Sequence, residues 1–247
     1  MTLPDLVLVH GGEHAGDCWE LTVAQLYRLE PRLRILAVDL PGHGTKPGDL
    51  VTATVGEWAD SVVADIEDAG LGDIVIVGHS MAGVTVPAVV TKLGSTRVRE
   101  MILATAFVPP QGRAIVDTLG GPLAFFARRA ASTGKPTKVP KVAARYAFCN
   151  GMTREQRTFT LSRLYPESAR IPAEPVDRSS LPGDVRRTWI LTTRDRALSV
   201  QSQRDSINAL GGVHQEIPVA ACHELMISHP EVLARILIER CRSWQRD

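Results

Sequence analysis

Short apolar runs alternate with longer amphipathic stretches along most of the chain, and this alternation restricts the fold more than any other feature of the sequence. The apolar runs have the length and β-branched content of strands and lie at residues 6–10, 34–40, 73–78, 101–107, 188–192 and 215–219. The stretches between them carry apolar residues at helical spacing and lie at 19–29, 55–69, 82–93, 200–210 and 230–244. Strands that alternate with helices are typical of parallel sheets joined by crossover helices, so we predict an α/β fold with a doubly wound, mostly parallel sheet.

The alternation stops over residues 108–182, where Pro and Gly recur and apolar residues fall between basic patches. A structureless loop of this length would be unusual in a compact domain, so we predict an inserted, mostly helical lid. Residues 1–107 and 183–247 would then form the core of a single domain. We expect the apolar lid residues to line a substrate pocket, namely Leu119, Leu123, Phe125, Phe126, Tyr146 and Phe148.

The charge balance and the positions of the cysteines limit what the protein can bind and where it can act. The 247 residues carry 28 Lys and Arg against 27 Asp and Glu, so no net field attracts a nucleic acid or an anionic membrane. The first residues indicate a strand instead of a signal peptide, and no apolar stretch reaches the roughly 18 residues of a membrane span. The cysteines are scattered, at Cys18, Cys149, Cys222 and Cys241. We expect a cytoplasmic monomer or homodimer that acts on a small molecule.

The strand at 73–77 runs directly into the sequence Gly-His-Ser-Met-Ala-Gly at 78–83, and a helical pattern follows. A sharp strand-to-helix turn of this kind exposes a serine nucleophile, and small flanking residues allow its strained backbone. The last glycine of the G-x-S-x-G motif is Ala82 here, and Gly83 follows it. The alternative is a buried serine on an ordinary glycine turn. We predict that Ser80 is a nucleophile.

A general base should lie downstream of the serine, and three histidines satisfy that order. His223 follows the strand that ends at Val219 and precedes the last helix, so a loop can bring its imidazole over Ser80. His214 opens a strand, and His229 precedes a proline at the start of a helix. We therefore prefer His223 as the base, with an ordinary loop histidine as the alternative.

The acid that orients the base should lie at the end of a strand as well. Asp195 follows the strand at 188–192 and precedes a helix. It could instead be a helix N-terminal charge or an ion-pair partner of a neighbouring arginine. Asp177 and Asp184 are the alternative acids.

An oxyanion hole needs two backbone N–H donors, one from the residue after the nucleophile and one from an earlier loop. Met81 supplies the first, and we assign the second to Gly12, which follows the first strand in a glycine pair. That pair could also serve only to reverse the chain. His10 and His14 suggest a metal pair, but nothing nearby completes a ligand set, so structural roles are favoured.

Four blocks together resemble the α/β-hydrolase family, and specifically its small branch of plant methylesterases and hydroxynitrile lyases. They are residues 7–12, residues 39–44, the turn at 78–83, and the pair formed by 192–195 and 222–225. The resemblance implies an α/β-hydrolase fold and a Ser-His-Asp triad that uses no metal and no organic cofactor. Carried over to this sequence, the triad is Ser80, His223 and Asp195, and the oxyanion hole is Gly12 and Met81.

Two departures from the hydroxynitrile lyases favour ester hydrolysis. Lyases of this type place a threonine after the first histidine and a lysine after the catalytic histidine, where this sequence has Gly11 and Glu224. A glutamate would repel an anionic leaving group such as cyanide. We expect hydrolysis of a small or medium apolar carboxylic ester through an acyl-enzyme. The alternatives are a non-hydrolytic lyase, cyclase or acyl transferase that uses the same site, and a ligand receptor with little turnover.

Overall fold

The computed structural model describes residues 3–245, apart from the side chains of residues 121–126. Its six strands are β1 (Asp5–Val9), β2 (Ile35–Val38), β3 (Ile74–His79), β4 (Val98–Ala104), β5 (Arg186–Thr192) and β6 (Gln215–Val219). They form one sheet in the order β2-β1-β3-β4-β5-β6, and every neighbouring pair is parallel. The predicted α/β fold with a parallel sheet is therefore confirmed.

Ten α-helices lie within the described part of the chain. They are α1 (Glu20–Leu29), α2 (Val55–Asp68), α3 (Ala82–Leu93), α4 (Ile115–Thr118), α5 (Gly121–Thr133), α6 (Lys141–Phe148), α7 (Arg154–Ser162), α8 (Val200–Ala209), α9 (Leu225–Ser228) and α10 (Pro230–Arg242). Buried residues of α2, α3 and α8 pack in one core cluster, and those of α1, α9 and α10 pack in another. The sheet is thus covered on both faces, as in a doubly wound fold.

The central strand β3 shows why the apolar runs of this sequence are continuous. Ile74 and Ile76 belong to the cluster under α2 and α3, whereas Val75 and Val77 belong to the cluster under α1 and α10. All four side chains are fully buried because successive residues of a strand point to opposite faces. Each contributes about 1.5–3 kcal/mol of burial free energy. The strand that carries the serine turn is thus anchored on both sides.

The segment between β4 and β5, residues 108–182, contains α4 to α7 and a short 3-10 helix at Ile171–Ala173. We call it the inserted segment. Its description as a lid separate from the core remains a prediction. Five strands differ from expectation by one to three residues at one end or both, and the shift is largest at β4, which runs over Val98–Ala104 and not over residues 101–107. The chain turns there because Thr105 has a positive φ of 42°.

No described helix combines the length and the apolar character that a membrane span requires. The cysteines Cys18, Cys149, Cys222 and Cys241 are buried and unpaired.

Candidate active site

Ser80 lies at the tight turn between β3 and α3. It has a positive φ of 52°, a conformation that a non-glycine residue adopts only when its surroundings enforce it. The Ser80 carbonyl accepts hydrogen bonds from the N–H groups of Gly83 at 3.1 Å and Phe107 at 2.9 Å, and the Ser80 N–H donates to Ala104. The turn therefore holds the serine in a strained position at the carboxyl end of the sheet.

Close packing at this turn explains the glycines that flank it. A Cβ atom at Gly78 would come within 2.8 Å of Val86, and one at Gly83 would come within 2.4 Å of the Phe107 carbonyl. Ala82, which replaces the last glycine of G-x-S-x-G, is buried at the first position of α3. The closest packing against the backbone of the turn thus occurs at residue 83, one residue after the last glycine of the motif, and Gly83 allows it because it has no Cβ atom.

The structure brings Ser80, His223 and Asp195 into one hydrogen-bonded chain. His223 Nε2 lies 2.8 Å from Ser80 Oγ, and His223 Nδ1 lies 2.7 Å from Asp195 Oδ2. Since a carboxylate accepts, Nδ1 carries the proton and Nε2 is free to accept from the serine hydroxyl. The His223 and Asp195 side chains are almost completely buried. The three side chains come from the ends of β3, β5 and β6, which meet at one edge of the parallel sheet.

Five donors hold the Asp195 carboxylate. Oδ2 accepts from the hydroxyls of Thr105 and Thr192 as well as from His223, and Oδ1 accepts from the N–H groups of Ala197 at 2.7 Å and Leu198 at 2.8 Å. Burial acts to raise the pKa of Asp195, but His223 and these hydrogen bonds outweigh it, and the pKa is lowered. Asp195 is therefore ionised and fixed in orientation.

Burial and charge also oppose each other at His223. Burial lowers the pKa of an imidazole, but the adjacent Asp195 and the nearby Glu224 raise it, and the net pKa lies above the ordinary value of 6.5. Aromatic rings enclose the imidazole. The ring of Phe148 stacks on it with centroids 5.4 Å apart, and Phe107 lies at 6.4 Å. The arrangement suits a base that takes up a proton and then exists as imidazolium beside a carboxylate.

Gly11 and Gly12 lie directly over the serine turn. A Cβ atom at Gly11 would come within 2.7 Å of Ser80 Cβ, and one at Gly12 would lie 3.4 Å from the methyl group of Met81. His10 Nδ1–H donates to the Gly11 carbonyl at 2.8 Å. The N–H and C=O of a trans peptide point in opposite directions, so the Gly12 N–H is directed away from His10. Met81 lies at the start of α3, where the helix leaves N–H groups without intrahelical partners.

The histidines of this loop have structural contacts. His10 Nε2 accepts from the Leu40 N–H at 3.0 Å, which fixes the tautomer that donates to Gly11. Burial is the main cause that lowers the pKa of His10 to about 3, so its ring is neutral. His14 Nδ1–H donates to the Gly12 carbonyl at 2.9 Å. Both rings thus orient the backbone next to Ser80, in keeping with the structural role favoured by the sequence.

Glu224 lies buried behind the base, between two histidines. Its Oε2 is 3.7 Å from His14 Nε2 and 3.9 Å from His79 Nε2. Burial acts to raise its pKa, but the nearby His14, His79 and His223 outweigh it, and the pKa is lowered. Glu224 therefore places a negative charge beneath the site, where an anionic group would be repelled.

One group of described residues has a spacing that could hold a metal ion. The ligand atoms of His79, His223 and Glu224 lie within 4.8 Å of one another. However, both ring nitrogens of His223 already contact Ser80 and Asp195, and His79 Nε2 donates to the His223 carbonyl at 3.0 Å. A metal ion could bind only by breaking these hydrogen bonds, so the donor set suits a proton-transfer site better.

The predicted pocket residues fall in different environments. Phe148 lies on His223, and Leu119 is partly buried against the core cluster of α2 and α3. Tyr146 is 67% exposed, and the Arg196 guanidinium lies 5.0 Å from its ring centroid. The side chains of Leu123, Phe125 and Phe126 lie outside the described residues.

Sequence reasoning missed two residues that contact the site. Thr105 donates to Asp195, and its position just after β4 is a signal that could have identified it, because ligands of such sheets lie beyond the carboxyl ends of strands. Glu167 lies in the inserted segment and approaches Gly12, and no local pattern marks it.

A family model described as the alpha/beta hydrolase family matches residues 6–236. The chain belongs to this family. Among curated relatives, the esterase PIR7B of Oryza sativa subsp. japonica is 26% identical, and the match covers 97% of this chain and 96% of that one. A chloroplastic protein of Arabidopsis thaliana named as a methylesterase is 24% identical over 96% of this chain, and a carbendazim hydrolyzing esterase of Nocardioides is 30% identical over 47%. The chain spans only 63% and 48% of the length of these last two relatives.

Solved structures of alpha/beta hydrolases share the fold at low sequence identity. An extracellular alpha/beta-hydrolase from a Paenibacillus species, described as homologous to tobacco salicylic acid binding protein 2, has a TM-score of 0.85 at 20% identity over 96% of this chain and 98% of that chain. The Arabidopsis methylesterase MES16 has a TM-score of 0.75 at 19% identity over 98% of this chain and 100% of that one. These likenesses confirm the predicted fold, and the family model confirms the predicted family.

Proposed function

We propose that this alpha/beta hydrolase cleaves small or medium apolar carboxylic esters through an acyl-enzyme on Ser80. The observation that carries the proposal is the unbroken hydrogen-bonded chain from Ser80 through His223 to Asp195. A nucleophile, a base and an orienting acid in this order are what acyl transfer requires. The names of the relatives, which include esterases and methylesterases, support ester cleavage as the reaction.

In the acylation half, Ser80 Oγ attacks the ester carbonyl carbon while His223 Nε2 takes the hydroxyl proton. The carbonyl electrons move to oxygen, and the N–H groups of Gly12 and Met81 stabilise the oxyanion. When the oxyanion collapses, the ester C–O bond breaks and His223 gives its proton to the departing alcohol. The acyl group then remains on Ser80.

In the deacylation half, water replaces the alcohol. His223 removes a proton from the water as its oxygen attacks the acyl carbon, and the same N–H groups hold the second oxyanion. Collapse breaks the bond to Ser80 Oγ, which regains the proton from His223, and the carboxylic acid leaves. Asp195 keeps the imidazole in the required tautomer throughout and stabilises its charged form. The cycle needs no metal and no organic cofactor.

Apolar groups around the base support an apolar substrate. Phe148 and Phe107 lie beside the His223 ring, and the Met81 side chain packs against Gly12. The buried charge of Glu224 disfavours an anionic leaving group such as cyanide, which supports hydrolysis over cyanohydrin cleavage. We further propose that the protein acts on a small molecule as a monomer or homodimer in the cytoplasm, and the unpaired buried cysteines support that location.

The test uses a panel of p-nitrophenyl esters of increasing acyl length. Rapid mixing measures the release of p-nitrophenol, and intact-protein mass spectrometry detects the acyl-enzyme. We expect a burst of p-nitrophenol, a mass increase on Ser80, and release of the free acid. The Ser80→Ala variant should lose activity by about a thousandfold or more while it keeps its fold. Normal turnover by Ser80→Ala would contradict the acyl-enzyme. Transfer of the acyl group to an added alcohol in place of water would identify an acyl transferase, and ligand binding without turnover would identify a receptor.

A further inference from the structure

The peptide that joins Gly12 to Glu13 is held at both ends, once from the core and once from the inserted segment. On the core side, His14 Nδ1–H donates to the Gly12 carbonyl at 2.9 Å. On the other side, the Glu13 N–H donates to Glu167 Oε2 at 2.8 Å. Both groups belong to one planar unit, so the two hydrogen bonds fix the plane of this peptide and the direction of the adjoining Gly12 backbone.

Glu167 is itself firmly placed. Its backbone pairs with Thr137 through hydrogen bonds of 2.9 and 2.7 Å, and its Oε1 accepts from the Ser168 N–H at 2.6 Å. Its Oε2 lies 3.2 Å from His43 Nε2 and would lie 3.4 Å from a Cβ atom at Gly12. The residue is 7% exposed. This carboxylate is thus a buried, restrained acceptor beside Gly12.

Two further contacts tie the same loop to the inserted segment. The Tyr165 N–H donates to the Glu13 carbonyl at 2.7 Å, and the Val139 N–H donates to Glu13 Oε1 at 2.6 Å. Glu13 also has a positive φ of 60°. A non-glycine residue keeps such a conformation only where several contacts enforce it, so the inserted segment helps to set the backbone of this loop.

We propose that Glu167 is a positioning residue of the oxyanion hole, which holds the Gly12–Glu13 peptide and thereby aims the Gly12 N–H at the oxyanion formed on Ser80. The inference rests on the proposed function, because only acyl transfer through a tetrahedral intermediate needs this donor. The oxyanion hole then depends on the packing of the inserted segment against residues 10–14.

Loss of this aim should affect the transition state more than substrate binding. The ester carbonyl carries little charge in the ground state, whereas the tetrahedral intermediate carries a full negative charge. A badly directed N–H therefore lowers kcat and changes KM little. Loss of a whole oxyanion donor costs on the order of a hundred- to a thousandfold in kcat, so a displaced donor should cost about ten- to a hundredfold.

The kinetic test compares variants of Glu167 with a matched control. Glu167→Ala removes the acceptor and should lower kcat about ten- to a hundredfold at nearly constant KM. Glu167→Gln keeps a carbonyl oxygen that can accept from Glu13, and it should restore most of the activity. The control is Glu174→Ala, since Glu174 Oε2 accepts from the Val55 N–H at 2.9 Å and so joins the inserted segment to α2. This control should leave kcat unchanged.

A spectroscopic test separates positioning from general loosening of the fold. A trifluoromethyl ketone labelled with ¹³C at its carbonyl forms a hemiketal with an active serine, and NMR follows the ionisation of its hydroxyl. Poorer oxyanion stabilisation in Glu167→Ala should raise the pKa of that hydroxyl, whereas Glu174→Ala should not. If Glu167→Ala does not fold, Glu167→Asp, which withdraws the carboxylate by one methylene, should show the same changes in smaller measure.

Three outcomes would overturn the inference. The first is an unchanged kcat in folded Glu167→Ala. The second is a loss of kcat in Glu174→Ala equal to that in Glu167→Ala. The third is a hemiketal hydroxyl pKa in Glu167→Ala that equals the wild-type pKa. Wild-type protein that neither turns over esters nor forms the adduct would overturn the proposed function itself, and the inference with it.

Discussion

Two buried carboxylates, Glu100 and Glu224, lie at opposite ends of the sheet in opposite environments. Glu100, near the start of β4, accepts two hydrogen bonds of 3.0 Å from Arg240, one from Trp244 at 2.7 Å and one from Thr188. Glu224, beyond the end of β6, lies beside histidines instead, with its Oε2 3.7 Å from His14 Nε2 and 3.9 Å from His79 Nε2.

The difference separates a stabilising contact from a functional one. Arginine is permanently charged, so the Glu100 contact is constant and joins β4 to the last helix. Of the histidines near Glu224, His79 is neutral at pH 7 because burial lowers its pKa to about 4, whereas His223 gains and loses a proton in the proposed reaction, so the field around Glu224 changes with the protonation of His223. A buried carboxylate that stays charged beside the candidate base alters the pKa of that base. We therefore expect changes at the Glu100 end to alter stability and changes at the Glu224 end to alter activity.

The largest effect should come from Asp195→Asn, which changes only the end of the sheet that carries Ser80 and His223. The variant keeps the shape of the side chain but loses the charge that stabilises the imidazolium and selects its tautomer, so kcat should fall by about ten-thousandfold. Steady-state ester hydrolysis measures it. Near-normal activity, together with a loss in Asp177→Asn or Asp184→Asn, would show that another carboxylate orients the base.

Glu100→Gln tests the opposite end. Removal of one charge leaves Arg240 buried without its partner, and breaking a pair of this kind costs about 3–5 kcal/mol in the free energy of unfolding. Urea unfolding should show this loss, while kcat/KM below the melting transition stays near that of the wild type. A large fall in kcat/KM of the folded variant would contradict the separation of the two ends.

The third effect concerns pH. His223 must be neutral to accept the serine proton, so activity is present above its pKa and is lost as the pH falls through it. That pKa is raised above 6.5 because Asp195 and Glu224 outweigh the effect of burial. Glu224→Gln should therefore lower the pKa of His223 and move the acid limb of kcat/KM to lower pH. Glu216→Gln, a change of an exposed acid on β6, is the control and should leave the limb in place.

The contrast also shows which features a sequence reveals. The serine turn could be predicted because its strand, its small residues and its helix are adjacent along the chain. His223 and Asp195 could be proposed because parallel strands bring their carboxyl ends to one edge of the sheet. The Glu100–Arg240 pair joins residues 140 positions apart, and nothing local in the sequence marks either partner.

The inserted segment was the hardest part to predict for a related reason. Its apolar residues lack the alternation that assigns a strand face, so the sequence did not show which of them approach the serine. The contacts of Glu167 with Glu13 and Thr137 likewise depend on how the segment packs on the core, which no short pattern encodes. The existence of helices could be inferred there, whereas the direction of their side chains could not.

The smallest effect should appear in substrate choice, and two aromatic residues of α6 sharpen the comparison. Phe148 and Tyr146 are two positions apart, which places them roughly 200° apart around a helix. Phe148 stacks on His223, whereas Tyr146 is exposed. Phe148→Ala should therefore change the relative rates across esters of increasing acyl length by about three- to tenfold, since an apolar contact contributes modestly to discrimination. Tyr146→Ala should leave these ratios unchanged. If both variants shift the melting temperature but leave the relative rates across the ester series unchanged, α6 contributes to packing and does not select the substrate.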